Sequence, residues 1–386
     1  MTTKRIGVFA GSRSEYGLLV PVMRAGEAHG DLDLKVISGD PDPGTPEFPI
    51  AAHVPITRAD ETPGSTPRAI GQGVLGLTDA LDRLNLDALV IYGDRFEAFA
   101  AMIAATQRGL DVAHIEGGDL TQGGTLDDVV RHAMSKLAHL HFPTNEAAAN
   151  RLRAMGEEEW RITTAGFPPI DLIRAGDFAP LNDIITEFGL DPRSYGALVL
   201  FTLHPISTSP ESAETEIAAC MTALARAERE LNARIMLTYP NGDVGSAAII
   251  AALEGFKADH PDAILRKTLG RHRYHGVLNF CGVNPGVCVG NSSSGLKETP
   301  AFHCPAVDIG PRQTGRLRGE KVLHVPCEAD AIYEAIRTAL TDDTFRKNVR
   351  QAPNPYGQGN AGPTIARVLA ETDVTDPKLI QKQTVF

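Results

Sequence analysis

Short apolar runs rich in β-branched residues alternate with longer stretches of helical periodicity along most of this chain, in two successive series. A strand that is apolar on both faces needs cover on both, and intervening helices supply it. The pattern therefore argues for parallel sheets sandwiched between helices. In the first series, strands are expected near 4–10, 33–38, 88–92, 111–115, 139–143 and 160–164, with helices near 16–29, 67–84, 95–108, 126–137 and 145–155. Gly166-Phe167-Pro168-Pro169 interrupts this series and opens a connector running to about Tyr195. The second series places strands near 197–203, 233–238, 263–267, 286–289 and 305–308. Its helices fall near 211–230, 244–258, 271–280 and 295–301, followed by 329–340, 343–350 and 362–371. At 386 residues the chain is long enough for two cores. The expected fold is α/β, with two Rossmann-like doubly wound domains at 1–168 and 196–360, a connector at 169–195, and a C-terminal helix and tail at 361–386. One segment departs from the regularity. Residues 40–67 hold seven prolines, which fix φ and remove amide donors, so a long irregular loop is expected there.

In open α/β sheets, ligands bind beyond the carboxyl ends of the strands, and chemistry-bearing residues gather at those ends here. Asp94 and Arg95 follow the run 88–92, Glu116 follows 111–115, and Asp127 opens the next helix. Taken singly, Asp127 reads as a helix cap and Asp94 as an ion-pair partner of Arg95 or Arg131. Three acids on one sheet edge point instead to general acid and base work at carbon. In the second half, His204 ends one strand and Asn241-Gly242-Asp243 ends another. Ser292, Ser293 and Ser294 lie between a strand and a helix carrying Lys297 and Glu298; amides and hydroxyls there suit a diphosphate, and Glu298 suits ribose hydroxyls. Gly11-Ser12-Arg13-Ser14 offers a similar turn, with Ser14 as the expected N-cap, but no G-x-G-x-x-G dinucleotide fingerprint is present.

The formal net charge of −11 excludes nonspecific nucleic-acid or anionic-membrane binding. An anionic substrate then needs a local basic pocket, for which Arg312, Arg316 and Arg318, with Arg13 and Arg95, are candidates. The N-terminal apolar run is too short for a signal peptide or a membrane span. Five cysteines without C-x-x-C spacing argue against zinc and disulfides and for a reducing cytoplasm. His114, His132, His139 and His141 lack a third partner at metal-site spacing and read as structural. Trp160 and the stripe Leu18, Leu19, Val22 read as packing.

These blocks, in this order, resemble the hydrolysing UDP-N-acetylglucosamine 2-epimerases of bacterial sialic-acid pathways and the epimerase domain of the bifunctional animal enzyme. The resemblance runs from about Ile6 to Val325. It rests on Gly93-Asp94-Arg95-Phe96-Glu97, His114-Ile115-Glu116-Gly117-Gly118, Asp127-Asp128 through Arg131-His132 to His139, His204-Pro205, Tyr239-Pro240-Asn241, Gly290-Asn291-Ser292-Ser293-Ser294-Gly295 and Arg312-Gln313-Thr314-Gly315-Arg316. It implies a GT-B-like fold with the active site in the interdomain cleft, a homodimer or homotetramer formed through the first domain, and neither metal nor nicotinamide cofactor. The implied reaction takes UDP-N-acetylglucosamine and water to N-acetylmannosamine and UDP, by anti elimination to a 2-acetamidoglucal and rehydration. The implied catalytic residues are Asp94, Glu116, Asp127 and His204; Arg13, Arg95, Asn241, Ser292, Ser293, Glu298 and Arg312 match substrate-binding positions. Two departures leave the sugar open. Ser38-Gly39 leads into Asp40-Pro41-Asp42-Pro43 where a His-Leu pair is usual in the family, and the loop 119–125 is longer, with Gln122-Gly123-Gly124. Relatives acting on a UDP-2,4-diacetamido-2,4,6-trideoxyhexose fit equally well, and a GT-B glycosyltransferase, a nucleotide-sugar sensor and a non-hydrolysing epimerase are the competing readings.

Overall fold

The computed structural model describes residues 3–385 apart from Glu61, Pro63, 122–125, Pro192 and Ser207. The expected lengthening of the loop at Gln122-Gly123-Gly124 therefore lies outside the described residues. The chain divides into two compact units. The first is Met1–Asp119, Asp127–Leu172 and Tyr356–Phe386; the second is Leu120–Leu126 and Ile173–Pro355.

The first unit holds strands β1 (Lys4–Ala10), β2 (Leu32–Ser38), β3 (Ile50–His53), β4 (Ala88–Tyr92), β5 (Asp111–Ile115) and β6 (Leu140–Phe142). Its helices are α1 (Arg13–Ala28), α2 (Ser65–Leu84), α3 (Phe96–Gln107), α4 (Leu126–Leu137), α5 (Glu146–Ala154) and the start of α6 (Pro169–Arg174). All the strand pairings are parallel, in the order β3-β2-β1-β4-β5-β6. Every residue of β4, β5 and β6 is buried, as two-sided cover requires. Alanines 98, 100, 101, 104 and 105 line the buried side of α3, so that helix approaches the sheet and α2 closely.

The second unit carries α7 (Leu181–Phe188), β7 (Ala197–Thr202), α8 (Ala213–Leu231), β8 (Ala233–Thr238), α9 (Ser246–Asp259), β9 (Ile264–Arg266), α10 (Gly270–Val283), β10 (Gly286–Gly290), α11 (Ser294–Lys297), β11 (Ala306–Ile309), β12 (Val322–Val325), α12 (Ala329–Thr341) and α13 (Asp343–Gln351). Its parallel strands follow the order β12-β11-β10-β7-β8-β9. Read from the opposite edge, that is the same winding as in the first unit. Phe201, Leu237, Val287, Val289 and Ile336 are among its fully buried residues. The chain then rejoins the first unit with α14 (Ala361–Glu371) and α15 (Pro377–Ile380). Gly362 sits against the Pro21 carbonyl of α1, where a Cβ would come within 2.4 Å, and Asp171 caps α14 by accepting from the amides of Asn360, Ala361 and Gly362.

The doubly wound α/β class expected from the sequence is what the chain adopts, with local corrections. The expected strand at 160–164 is a 3-10 turn, Glu159–Arg161, followed by a single bridge from Ile162 to His141. The amides of Thr163 and Ala165 still donate to His141 and Pro143, but Gly166, at φ 89°, turns the chain away. The proline-rich stretch holds β3, because Pro49 and Pro55 leave five consecutive residues between them that keep their amide donors. β12 is a short, half-exposed edge strand with too few apolar residues to announce itself. α1 begins three residues earlier than expected, since Ser12 rather than Ser14 is its cap and accepts from the Glu15 amide at 3.3 Å.

Candidate active site

A doubly wound sheet opens a crevice where its strand order reverses. In the first unit that point lies between β1 and β4, so the turns after Ala10 and Tyr92 flank it. Gly93, at φ 74°, makes the second turn; its carbonyl bonds His114 Nε2 at 2.7 Å. Asp94 follows and is ion-paired to the Arg131 guanidinium. Arg131 is fully buried on α4, and its Nη1 also donates to the Asp119 carbonyl at 2.9 Å and to Asp128 Oδ1 at 3.0 Å. Arg131, one of the two partners considered for Asp94, is a partner it takes. Arg95 instead reaches Glu97, with both bonds at 3.2 Å.

Glu116, one residue past β5, is buried and held at φ 71°. A non-glycine residue pays in backbone strain for that conformation, which persists only where surrounding structure enforces it. Its amide is bonded to the Phe142 carbonyl at 3.0 Å, and its carboxylate accepts from the Tyr92 hydroxyl. β4 and β5 pair with Tyr92 opposite Ile115, so Asp94 and Glu116 emerge from neighbouring strands at one edge. Asp127 lies half-buried in the first turn of α4, where the helix end favours negative charge.

A further carboxyl sits beneath the first turn. Glu15 is buried, accepts from the Gly11 amide at 2.8 Å, and shares the space around Gly11 with Glu97. Burial, then the charge of Glu97, pushes it up from the ordinary 4.5 to about 8, against Arg95 and the Gly11 amide. Arg13 is turned to the loop after β2: its amide donates to Asp40, and its guanidinium bonds the Asp42 carbonyl at 2.7 Å and carboxylate at 2.8 Å.

The histidines of this unit are held in structural roles. Burial pushes His114 and His139 down to about 4, keeping both neutral. His139 Nδ1 accepts from the Val112 amide at 2.9 Å, and His141 Nε2 pairs with Glu157 at 2.9 Å. Among the described residues, no group of three or more His, Cys, Asp or Glu is placed to hold a metal ion. Nor is any described helix long and apolar enough to cross a membrane.

In the second unit the order reverses between β7 and β10, and Asn291 organises that point. Its buried side-chain amide clamps the main chain of His204: Oδ1 accepts from the His204 amide at 2.7 Å, and Nδ2 donates to the His204 carbonyl at 2.8 Å. The Asn291 carbonyl accepts from Arg312 at 3.1 Å and Gln313 at 2.7 Å. Gly290, at φ 139°, permits this approach, since a Cβ there would fall 1.8 Å from the Thr202 carbonyl oxygen. His204 Nδ1 accepts from the Asn241 amide at 3.0 Å, which places the neutral ring's proton on Nε2. Asn241 Nδ2 donates to Asp243, while its buried Oδ1 has no protein partner.

His204, Asn241 and Arg312 are thus linked through Asn291 by a chain of hydrogen bonds, and Ser292 and Ser293, both half-buried, follow it in sequence. Glu298 is turned inward and pairs with His275 at 3.5 Å. Of the expected basic cluster, Arg316 donates at 2.9 Å to Oε1 of Gln313, whose Nε2 shares the Asn291 carbonyl with Arg312, and Arg318 pairs with buried Asp308 at 3.1 Å. Tyr92, Arg131, Asn291, Gln313 and Glu15 were not singled out as site residues from the sequence. All five lie within or beside quoted motifs, but only their contacts show them buried among the candidates.

Two parallel sheets of the same winding, each with polar side chains at its reversal point, define a doubly wound α/β protein. Residues 35–370 match the model of a family described as UDP-N-acetylglucosamine 2-epimerase. The chain is 31% identical over 383 residues to a UDP-N,N'-diacetylbacillosamine 2-epimerase (hydrolyzing) of Legionella pneumophila, covering 95% of each chain. It is 31% identical over 360 residues to a UDP-N-acetylglucosamine 2-epimerase of Neisseria meningitidis serogroup B, covering 89% of this chain and 90% of that one. Among solved structures, the UDP-GlcNAc 2-epimerase of Neisseria meningitidis bound to UDP-GlcNAc superposes with a TM-score of 0.81 at 18% identity, over 96% of this chain and 100% of that one. The protein belongs to the UDP-N-acetylglucosamine 2-epimerase family.

Proposed function

We propose that this protein is a hydrolysing 2-epimerase that converts UDP-N-acetylglucosamine and water to N-acetylmannosamine and UDP. The observation that carries the reading is Glu116, buried in a strained backbone conformation beside Asp94 at one sheet edge, with Asp127 opening α4 of the same unit. In the first step a carboxylate takes the proton from C2, the C1–O bond breaks, and both bonding electrons leave with UDP. The 2-acetamidoglucal then gains hydroxyl at C1 and a proton at C2 from the opposite face. Glu116 and Asp127 share the two proton transfers, and Asp94, fixed against Arg131, is a stationary negative charge facing the developing oxocarbenium. Arg13, Arg95, Asn241, Ser292, Ser293, Glu298 and Arg312 serve the nucleotide and its diphosphate. His204 offers its Nε2 proton to the departing oxygen.

A second reading, the same reaction on a UDP-2,4-diacetamido-2,4,6-trideoxyhexose, is favoured by two observations. Asp40 and Asp42 occupy the loop where the family usually carries His-Leu, and they engage Arg13. A Campylobacter jejuni relative, 30% identical over 335 residues, is also named as a GDP/UDP-N,N'-diacetylbacillosamine 2-epimerase (hydrolyzing). Each UDP-sugar is incubated with the protein in deuterated water and followed by NMR. Release of a free 2-epimer bearing deuterium at C2, without any acceptor, is expected for the true substrate. A nucleotide-bound epimer, or no release from either sugar, would overturn the hydrolysing reading. Glu116→Gln and Asp127→Asn are each expected to lower turnover by about 100-fold or more; near-wild-type rates in a folded variant would refute their roles.

A further inference from the structure

Helix α4 is thinly held for an element that presents Asp127, Asp128 and Arg131. Only Arg131, Met134 and Ser135 are buried along its length, while Leu126 and Val129 are exposed. Its far end meets the C-terminal segment of the same unit. Lys382 Nζ donates to the Lys136 carbonyl at 2.8 Å and lies 3.4 Å from the Ser135 carbonyl, two of the carbonyls that the end of a helix leaves unsatisfied. The same ammonium pairs at 2.7 Å with Glu157, whose carboxylate is fully buried and also holds Lys136 at 2.6 Å and His141 at 2.9 Å. The segment is pinned on both sides of Lys382. The buried guanidinium of Arg161 donates to the Lys378 and Leu379 carbonyls at 2.6 and 2.7 Å, and the Val385 amide bonds the Gly156 carbonyl at 3.1 Å.

We propose that Lys382 and Glu157 form a positioning pair, by which the C-terminal segment clasps the end of α4 and fixes the carboxylates and Arg131 that its other end presents. The inference rests on the catalytic reading of α4 given above. The lever is direct. Twelve residues make a rod of about 18 Å, so a tilt of a few degrees at one end displaces the other by about 1 Å. A misplacement of that size costs up to about 100-fold in rate. Ser135 adds a second link, since its hydroxyl donates to the Arg131 carbonyl at 3.0 Å and lies 3.4 Å from His114 Nδ1.

The test uses the full chain with Lys382→Met, Lys382→Arg and Glu157→Gln. Two quantities are read: steady-state kinetics on whichever UDP-sugar the wild type consumes, and amide hydrogen exchange of α4. Lys382→Met is expected to lower kcat about 5- to 30-fold with KM within about twofold, and Lys382→Arg to restore most of it. Exchange in α4 should rise about tenfold or more in Lys382→Met while α3 stays unchanged. Unchanged kcat, or unchanged α4 exchange in a folded Lys382→Met protein, overturns the proposal. Should Lys382→Met fail to fold, Glu157→Gln is read by the same criteria. A wild type that turns over neither UDP-sugar would refute the functional reading alone, because the exchange measurement still decides whether the clasp exists.

Discussion

Replacing Glu15 with Gln should make the first unit more stable in a strongly pH-dependent way. The carboxyl is buried under the Gly11 turn against Glu97, and this setting moves it from the ordinary 4.5 to about 8. A folded-state value above the unfolded one means that the folded protein holds this proton more tightly. The group's contribution to stability is therefore complete below about pH 4.5 and is lost as pH rises through about 8. The full displacement corresponds to roughly 5 kcal/mol, accumulating at no more than about 1.4 kcal/mol per pH unit. Gln keeps an oxygen for the Gly11 amide and cannot ionise. The stability difference, Gln minus wild type, should thus be constant below about pH 4 and widen by about 3 kcal/mol between pH 5.5 and 8.5. Trp160 is the only tryptophan and lies in the first unit with its ring against the buried Arg161 guanidinium, so its fluorescence during urea unfolding reports on that unit. A difference that changes by less than about 1 kcal/mol over this range would refute the reasoning. It would mean that Arg95 keeps Glu15 ionised in the folded state.

Asn291→Ala removes both bonds to the His204 main chain and should cost about 2–4 kcal/mol, seen as an earlier urea transition by circular dichroism, together with a large fall in turnover. Arg131→Met leaves Asp94 and Asp128 without their shared buried cation; a loss of about 3–5 kcal/mol in Trp160-monitored unfolding is expected. Gly290→Ala sets a methyl against the Thr202 carbonyl and should destabilise the second unit by about 3 kcal/mol or more, with weaker UDP binding by calorimetry. Glu157 is lowered to about 2 because the bonds from His141, Lys136 and Lys382 outweigh its burial. Its stabilisation is present above about pH 4.5 and lost as pH falls toward 2, so Glu157→Gln should flatten that acid limb.

Both sheets were legible because most of their strands are short, largely apolar and regularly spaced; 88–92, 111–115 and 233–238 were placed to the residue. The edge strands β6 and β9 were expected, but β3 and β12 were not. β3 hides among prolines and β12 is half-exposed, so neither leaves a strong apolar run. The acids at strand ends could be located from where the strands stop. Partner choice could not, because it depends on residues far apart in sequence. Asp94 pairs with Arg131, 37 residues on, and Asn291 reaches back 87 residues to His204. Glu298 and Arg318 looked like open donors and acceptors in sequence, yet each is paired with a partner inside its own unit.

The discontinuity of the first unit bears on how the polypeptide matures on the ribosome. Apart from the short excursion at Leu120–Leu126, the second unit is contiguous, Ile173–Pro355, and its sheet can close as soon as that stretch clears the exit tunnel. The earlier-made sheet must wait for Tyr356–Phe386, which follows the whole of Ile173–Pro355 in the chain, before α14 covers α1 and Lys382 reaches Glu157. Translation order and completion order are thereby inverted, and a nascent chain stalled just past Pro355 would carry a finished second unit while the acid-bearing first unit is still unfinished.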